Sequence, residues 1–238
     1  INQGKIAKNL GLKGISGLSE ELPIIRNIAL AEETGARIHI AHISTGKSLR
    51  IIKEAKAKGI NASCEVTPHH ISLSEDDIID GDTSFKVNPP LRSKEDVQAL
   101  QNGLKEGIID IIATDHAPHS ETDKPKDFYK AVNGISGIEI AFSICYTYLV
   151  RTGKLSLKEL LKKTSLNPSR LLNLGKGSIR VGGLADLIVL DLESKFIVDK
   201  DKFSSKGKNT PFHGKELWGE VLMTIADGKI VYEKEGEL

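Results

Sequence analysis

Three short apolar runs, set apart by stretches with helical spacing, constrain this chain more than any other feature. Arg37-Ile-His-Ile-Ala-His42, Asn61 to Thr67 and Ile108 to Thr114 read as strands. The last is nearly unbroken in its apolar character, as in a strand buried on both faces. Between the first two lies a helical pattern with Leu49, Ile52 and Ala55 on one face and a stop at Gly59. Ser93-Lys-Glu-Asp96 resembles a capping box ahead of Val97, Leu100 and Leu104. Ser19 is expected to cap an earlier helix through Ile25, Ile28 and Ala29 to Gly35, with Pro23 in its first turn. Such alternation predicts a parallel sheet covered by helices.

Further on, a helix is expected around Ile138 to Arg151 and another from Ser156, whose Glu159 completes a capping box. Asn167-Pro168 supplies N-cap and first-turn residues for one more short helix. From about Lys176 the texture changes. Ala185 to Leu192 and Glu220 to Ala226 read as strands, and Asp227-Gly228 as a hairpin turn before Lys229 to Tyr232. The charged stretch Asp199 to Lys208 is expected to be a solvated loop. The predicted organisation is an α/β part, residues 1–175, followed by a smaller β part, residues 176–238.

Composition removes several classes of function. With 33 Lys+Arg against 32 Asp+Glu, the net charge is +1, so no basic excess points to nucleic acid. Hydrophobic content of 39% and charged content of 27% are those of an ordinary globule. The most membrane-like stretch, Ile138 to Val150, is too short to span a bilayer and contains Glu139, so no membrane partner is expected. Cys64 and Cys145 form no disulfide framework and are expected to be buried apolar fillers. No signal peptide is read, and a cytoplasmic location is expected. The first residue is Ile rather than Met, so residues are expected to precede it.

His42, His69 with His70, Asn88, and Asp115 with His116 and His119 fall at or just beyond the C-terminal ends of predicted strands. In a parallel barrel, catalytic groups collect on that face. Imidazole and carboxylate together suit a borderline divalent metal such as zinc. A carboxylate beside an activated water can also take its proton. Each residue has a blander reading. His39 and His42 are three apart and face opposite sides of a strand, so His39 is taken as structural. His69-His70 is either a ligand with its neighbour or a rigid polar turn after Pro68. Asp115 could merely cap a turn, but a carboxylate after an apolar strand favours function. His213 reads as a surface or packing residue. Ser44-Thr-Gly-Lys-Ser48 imitates a phosphate-binding loop, but Ala41 stands where that loop requires glycine, so nucleotide is not expected there.

At this level the sequence resembles the dihydroorotases of the long-chain bacterial and archaeal type, within the amidohydrolase superfamily. The motifs that carry the resemblance are His39-Ile-Ala-His-Ile-Ser-Thr45, Glu65-Val-Thr-Pro-His-His70, Lys86-Val-Asn-Pro-Pro-Leu-Arg92 and Ala113-Thr-Asp-His-Ala-Pro-His119 with Lys124. Asn167-Pro-Ser-Arg170 and Gly183-Leu-Ala-Asp-Leu187 extend it over nearly the whole chain. The Asp-His-Ala-Pro-His stretch together with Asn-Pro-Pro-Leu-Arg separates this likeness from hydantoinases and allantoinases.

The resemblance implies a (β/α)8 barrel with a β-sandwich built from both chain ends, of which this chain would hold strands six to eight and the C-terminal part of the sandwich. It implies two zinc ions per intact active site, with His42 as one ligand and Asp115 as both ligand and catalytic acid–base. Asn88 and His119 correspond to substrate contacts, and Asn133-Gly134 to a main-chain contact with substrate. Asn133 stands where the family usually has an aromatic residue. His69 and His70 are outside the family's usual metal set. The implied partners are the small molecules dihydroorotate and N-carbamoyl-aspartate, with a homodimer or an association with aspartate carbamoyltransferase as the assemblies.

By the resemblance, the family's His-x-His pair, its bridging aspartate, its fifth-strand histidine and a substrate-binding arginine would all precede Ile1. Three strands are counted where closure needs eight, and two protein ligands do not hold a catalytic zinc pair. The chain is therefore expected to be the C-terminal part of a longer one, metal-poor and inactive alone. Two other readings are another cyclic amidase of hydantoinase or allantoinase type, and a non-catalytic scaffold for aspartate carbamoyltransferase.

Overall fold

The computed structural model describes residues 1–124 and 127–234. After a short helix α1 (Lys5–Asn9) and a long one, α2 (Leu18–Thr34), comes strand β1 (Ile38–Ile40). Helix α3 (Gly46–Ala57) leads to β2 (Ala62–Val66), and α4 (Pro68–Ser72) and α5 (Lys94–Lys105) precede β3 (Ile111–Ile112). The three strands form a parallel sheet in chain order, Ile40 opposite Cys64 and Glu65 opposite Ile111. Parallel neighbours need crossovers, and the helices supply them. Ile24 and Ile28 of α2, Leu49 and Ile52 of α3, and Leu100 and Leu104 of α5 close over Ile40, Cys64, Val66 and Ile112 in one core. Each such side chain contributes about 1.5–3 kcal/mol when fully buried.

Several sequence expectations shift on contact with this packing. Ser19 does not cap α2: the helix starts behind Gly17, and Ser19 Oγ donates to the Ser16 carbonyl at 2.7 Å. Pro23 thus falls in the second turn, where its missing N–H leaves the Ser19 carbonyl without its helical donor. The inward row of α2 is Ile24, Ile28 and Ala31, while Ile25 is 46% exposed. Gly35 closes the helix with φ 70, the left-handed state glycine tolerates. The third strand is shorter than its apolar run. The N–H groups of Ile108 and Ile109 both return to the Gly103 carbonyl and finish α5, so pairing begins only at Asp110.

Beyond β3, a helical stretch enters through a 3-10 turn (Ile138–Ile140), continues as α6 (Ala141–Cys145) and ends in a π turn (Tyr146–Val150). Helix α7 (Leu157–Leu161), capped by Ser156, runs through a second π turn (Lys162–Leu166) into α8 (Asn167–Leu171). Asn167 is therefore not a cap; its Nδ2 donates to the Asp110 carbonyl at 2.8 Å. A separate antiparallel sheet follows in the order β4 (Leu187–Ile197), β5 (Glu216–Ala226), β6 (Lys229–Glu233). Its strands run longer than expected, and Asp227 and Gly228 make the hairpin turn with φ 49 and 74. The segment between β4 and β5 is not a wholly solvated loop. Gly207 is buried, and Val198, Phe212 and Leu217 share a second core with Ile135, Ile140 and Ile144. Among the described residues no helix is long and apolar enough to cross a membrane.

Candidate active site

The C-terminal end of the parallel sheet carries His42 just beyond β1 and Asp115 just beyond β3. The β1–β2 ladder lapses after Ile40 and resumes where Ile43 N–H donates to the Glu65 carbonyl at 3.0 Å. His42 lies in the gap with φ 37, a left-handed conformation uncommon outside glycine. Its side chain is half-buried, and Nδ1 is fully buried with no hydrogen-bond partner. Two residues beyond Ala113, which still pairs with Val66, Asp115 adopts the same state with φ 46 and exposes its carboxylate. Strain of this kind persists where surrounding structure enforces it and often marks a functional site.

As donors, an imidazole and a carboxylate suit a divalent cation, and the unpartnered His42 Nδ1 is consistent with a side chain whose environment is incomplete. Among the described residues, however, no group of three His, Cys, Asp or Glu side chains could hold a metal ion.

His119 and Asn133-Gly134 form a tight unit beyond Asp115. His116 bridges to Ile135, and Ala117 N–H donates to the Ile135 carbonyl at 3.0 Å. The His119 Nε2 lies 2.9 Å from the Asn133 carbonyl, which can only accept, so Nε2 carries the proton and Nδ1 is left as an acceptor when the ring is neutral. Gly134 has φ 143, and a Cβ there would lie 2.6 Å from Ala117 Cβ and 2.8 Å from His119 Nε2. Only glycine fits this approach.

Asn88 is exposed and joined to Pro89 by a cis peptide bond. The Lys86 carbonyl ties its loop to Gly134, accepting from Gly134 N–H at 3.0 Å, and Lys124 Nζ braces the loop from the Thr83 and Lys86 carbonyls at 2.9 Å each. Burial, with Lys86 nearby, lowers the Lys124 ammonium to about 8. His119, Asn133 and Gly134 are thus joined in one network, to which the Asn88 loop is tied through Lys86. Two clefts, of about 290 and 800 Å³, lie elsewhere and are lined by none of these residues.

His69 and His70 are buried beneath this face. The Pro89 carbonyl accepts from His70 Nε2 at 2.9 Å, which leaves Nδ1 to accept from Thr67 Oγ1 at 2.8 Å. Burial pulls His70 down to about 4, against the opposing pull of the Pro89 carbonyl. His69 Nε2 has no partner, and burial, then His70 and His42, hold its imidazole well below the usual value. His39 turns away from His42, with its ring nitrogens at 2.8 Å from Ser63 Oγ and 3.0 Å from Glu65 Oε2. Cys64 and Cys145 are buried free thiols. His213 is half-exposed, with Nδ1 accepting from Lys200 N–H at 3.3 Å. At the start of α3, Thr45 accepts from Ser48 N–H and the Asp96 carboxylate accepts from Gly46 N–H at 2.9 Å, so the chain's own carboxylate occupies that helix terminus.

Sequence reasoning missed Asn209, which meets both the His119 and the Gly134 segments, and the clamp of His70 on Pro89. The only hint was the run Gly207 to Gly214, where Pro211 and Phe212 interrupt a charged stretch.

The family profile described as Amidohydrolase family matches residues 7–231. The dihydroorotase of Thermoanaerobacter sp. (strain X514) is 51% identical over 235 residues, covering 99% of this chain and 54% of that protein. That of Bacillus licheniformis is 47% identical over 238 residues, covering 100% of this chain and 55% of that protein. Among solved structures, the L-hydantoinase (dihydropyrimidinase) from Arthrobacter aurescens superposes with a TM-score of 0.86 at 34% identity, covering 92% of this chain and 49% of that one. The dihydropyrimidinase from Brevibacillus agri NCHU1002 gives a TM-score of 0.86 at 28% identity, over 91% and 49% of the two chains. The chain thus spans about half the length of the curated relatives it matches. These likenesses support a TIM-barrel type of metal hydrolase, and the chain belongs to the amidohydrolase family.

Proposed function

We propose that the intact enzyme containing this chain is a dihydroorotase, which reversibly hydrolyses the cyclic amide of dihydroorotate to N-carbamoyl-aspartate in de novo pyrimidine biosynthesis. The observation that carries this reading is the identity of 45–51% to proteins named dihydroorotase over nearly the whole chain. The hydantoinase and dihydropyrimidinase structures match at 34% or less. In this reading residues 1–175 are the C-terminal part of the barrel, with β1 to β3 as its sixth to eighth strands, and 176–238 belong to a small sandwich.

His42 and Asp115 would hold part of a zinc pair whose other ligands lie outside this donor set. When bound, such metals activate a water and polarise the amide carbonyl. Asp115, exposed at the strand end, takes the proton from the attacking water and delivers it to the ring nitrogen that leaves. Asn88 and His119 hold the ring in register, His119 through the Nδ1 that its Asn133 contact leaves available. The Gly134 N–H and carbonyl also bond Lys86 and Asn209, and the Asn133 carbonyl accepts from His119; each carbonyl keeps a second lone pair, and the main-chain contact is assigned to Asn133-Gly134. In the biosynthetic direction the same groups run in reverse and close the ring. The reactants are small soluble acids, which suits a cytoplasmic enzyme acting as a homodimer or beside aspartate carbamoyltransferase.

The test is turnover by the intact, zinc-loaded enzyme of dihydroorotate, hydantoin and allantoin. A kcat/KM highest for dihydroorotate supports the reading; a preference for hydantoin or allantoin overturns it. Turnover by the purified 238-residue chain alone would overturn the partial-donor assignment.

A further inference from the structure

We propose that Asn209 is the positioning residue that sets the substrate-side loops, so that the segment between β4 and β5 controls substrate binding. The inference rests on reading His119 and Asn133-Gly134 as substrate contacts. Asn209 stands 90 residues from His119 in sequence, yet its Oδ1 accepts from the His119 main-chain N–H at 2.7 Å. Its Nδ2 donates to the Ala117 and Gly134 carbonyls at 3.0 Å each. Ser136 Oγ lies 2.8 Å from both Asn209 Oδ1 and the Gly207 carbonyl, and shares its one proton between them. The main chain adds a fifth link, Ser136 N–H to the Asn209 carbonyl at 2.8 Å.

An amide has two donor hydrogens and an oxygen with two lone pairs, and here all four capacities are used. The two carbonyls can only accept, which fixes the orientation of the amide. The result is a closed ring of contacts: Asn209 to His119, the His119 ring to Asn133, and Gly134 back to Asn209. Gly207 shows how close the segment sits, because a Cβ there would lie 2.6 Å from His119 N. Nothing in this arrangement requires Asn209 to touch substrate. It sets the spacing between the His119 ring and the Gly134 main chain, and a shift of about 1 Å in such a contact costs up to roughly 100-fold.

In the intact, metal-loaded enzyme, Asn209→Asp keeps size and acceptor but turns a carboxylate oxygen onto the Ala117 and Gly134 carbonyls. KM for dihydroorotate should rise about 10-fold or more while kcat changes less than about threefold. Combined with His119→Ala, the rise should be less than the sum of the two, since both act in part through the His119 contact. Gly207→Ala displaces the same segment without altering the amide, should raise KM likewise, and decides the matter if Asn209→Asp does not fold. A lowered melting temperature with unchanged KM in the Asn209 and Gly207 variants would overturn the proposal, as would additive effects in the double variant. An unchanged KM in His119→Ala would instead overturn the underlying assignment of His119.

Discussion

His42 and Asp115 leave the same end of the parallel sheet in the same left-handed backbone state, with φ 37 and 46, on the two strands that flank β2. A non-glycine residue held there costs about 1–2 kcal/mol. That both metal-ligand candidates bear this cost, while their strand neighbours do not, ties the strain to the placement of their side chains.

Asp115→Asn separates chemistry from fold. Asparagine accepts left-handed backbone as readily as aspartate, so the melting temperature of the intact enzyme should barely move. Loss of the proton acceptor should lower kcat by about 10²–10⁴-fold. Steady-state kinetics beside a thermal melt check this; a variant with normal kcat would move the proton transfer to another group.

Gly134→Ala should harm substrate binding more than folding. Its φ of 143 and the 2.8 Å gap to His119 Nε2 leave no room for a methyl group. Strain of about 1–3 kcal/mol is expected, relieved by displacing the His119 ring. A KM raised about 10-fold by that displacement would follow, measurable alongside Asn209→Asp.

His70 should make the fold acid-sensitive. Its folded value of about 4 lies below the ordinary 6.5, so the unfolded chain binds a proton that the native chain refuses. Its contribution is complete above pH 6.5 and is lost as the pH falls toward 4, at up to about 1.4 kcal/mol per unit. Urea titrations at pH 7, 6 and 5 should show the decline, with a shallower slope in His70→Gln. Equal slopes in both proteins would exclude His70 as the source.

Arg92 ties three segments together although only 2% of it is exposed. Nε donates to Ser44 Oγ at 3.0 Å, and Nη1 to Asn2 Oδ1 and the Ile15 carbonyl at 2.8 Å each. Glu20 accepts from Ser44 Oγ and carries the compensating charge one step away. Arg92→Ala should destabilise the chain by about 3 kcal/mol, because it strands the buried Ser44 hydroxyl, two part-buried acceptors and the partnered carboxylate. Chemical denaturation measures this, and a loss under 1 kcal/mol would mean water takes over these bonds.

The helices and strands that place the site were legible because their signals are local. Ser93 and Ser156, read as caps, each accept the N–H three residues on, at the starts of α5 and α7. The strand ends at His42 and Asp115 were legible for the same reason, as reactive side chains directly after apolar runs. Ser19 and Asn167 misled because a cap depends on where the helix is cut, and packing against the sheet set that cut elsewhere.

Local pattern thus determined the α/β character of the chain, the order of its elements and the residue types gathered on one face. Tertiary structure alone decided the left-handed turns at His42 and Asp115, the clamp of His70 on Pro89 and the reach of Asn209 to His119. The reason is sequence distance. A hydrogen bond across 90 residues leaves no periodicity in either segment, and it exists only once the two cores have packed and brought the loops together.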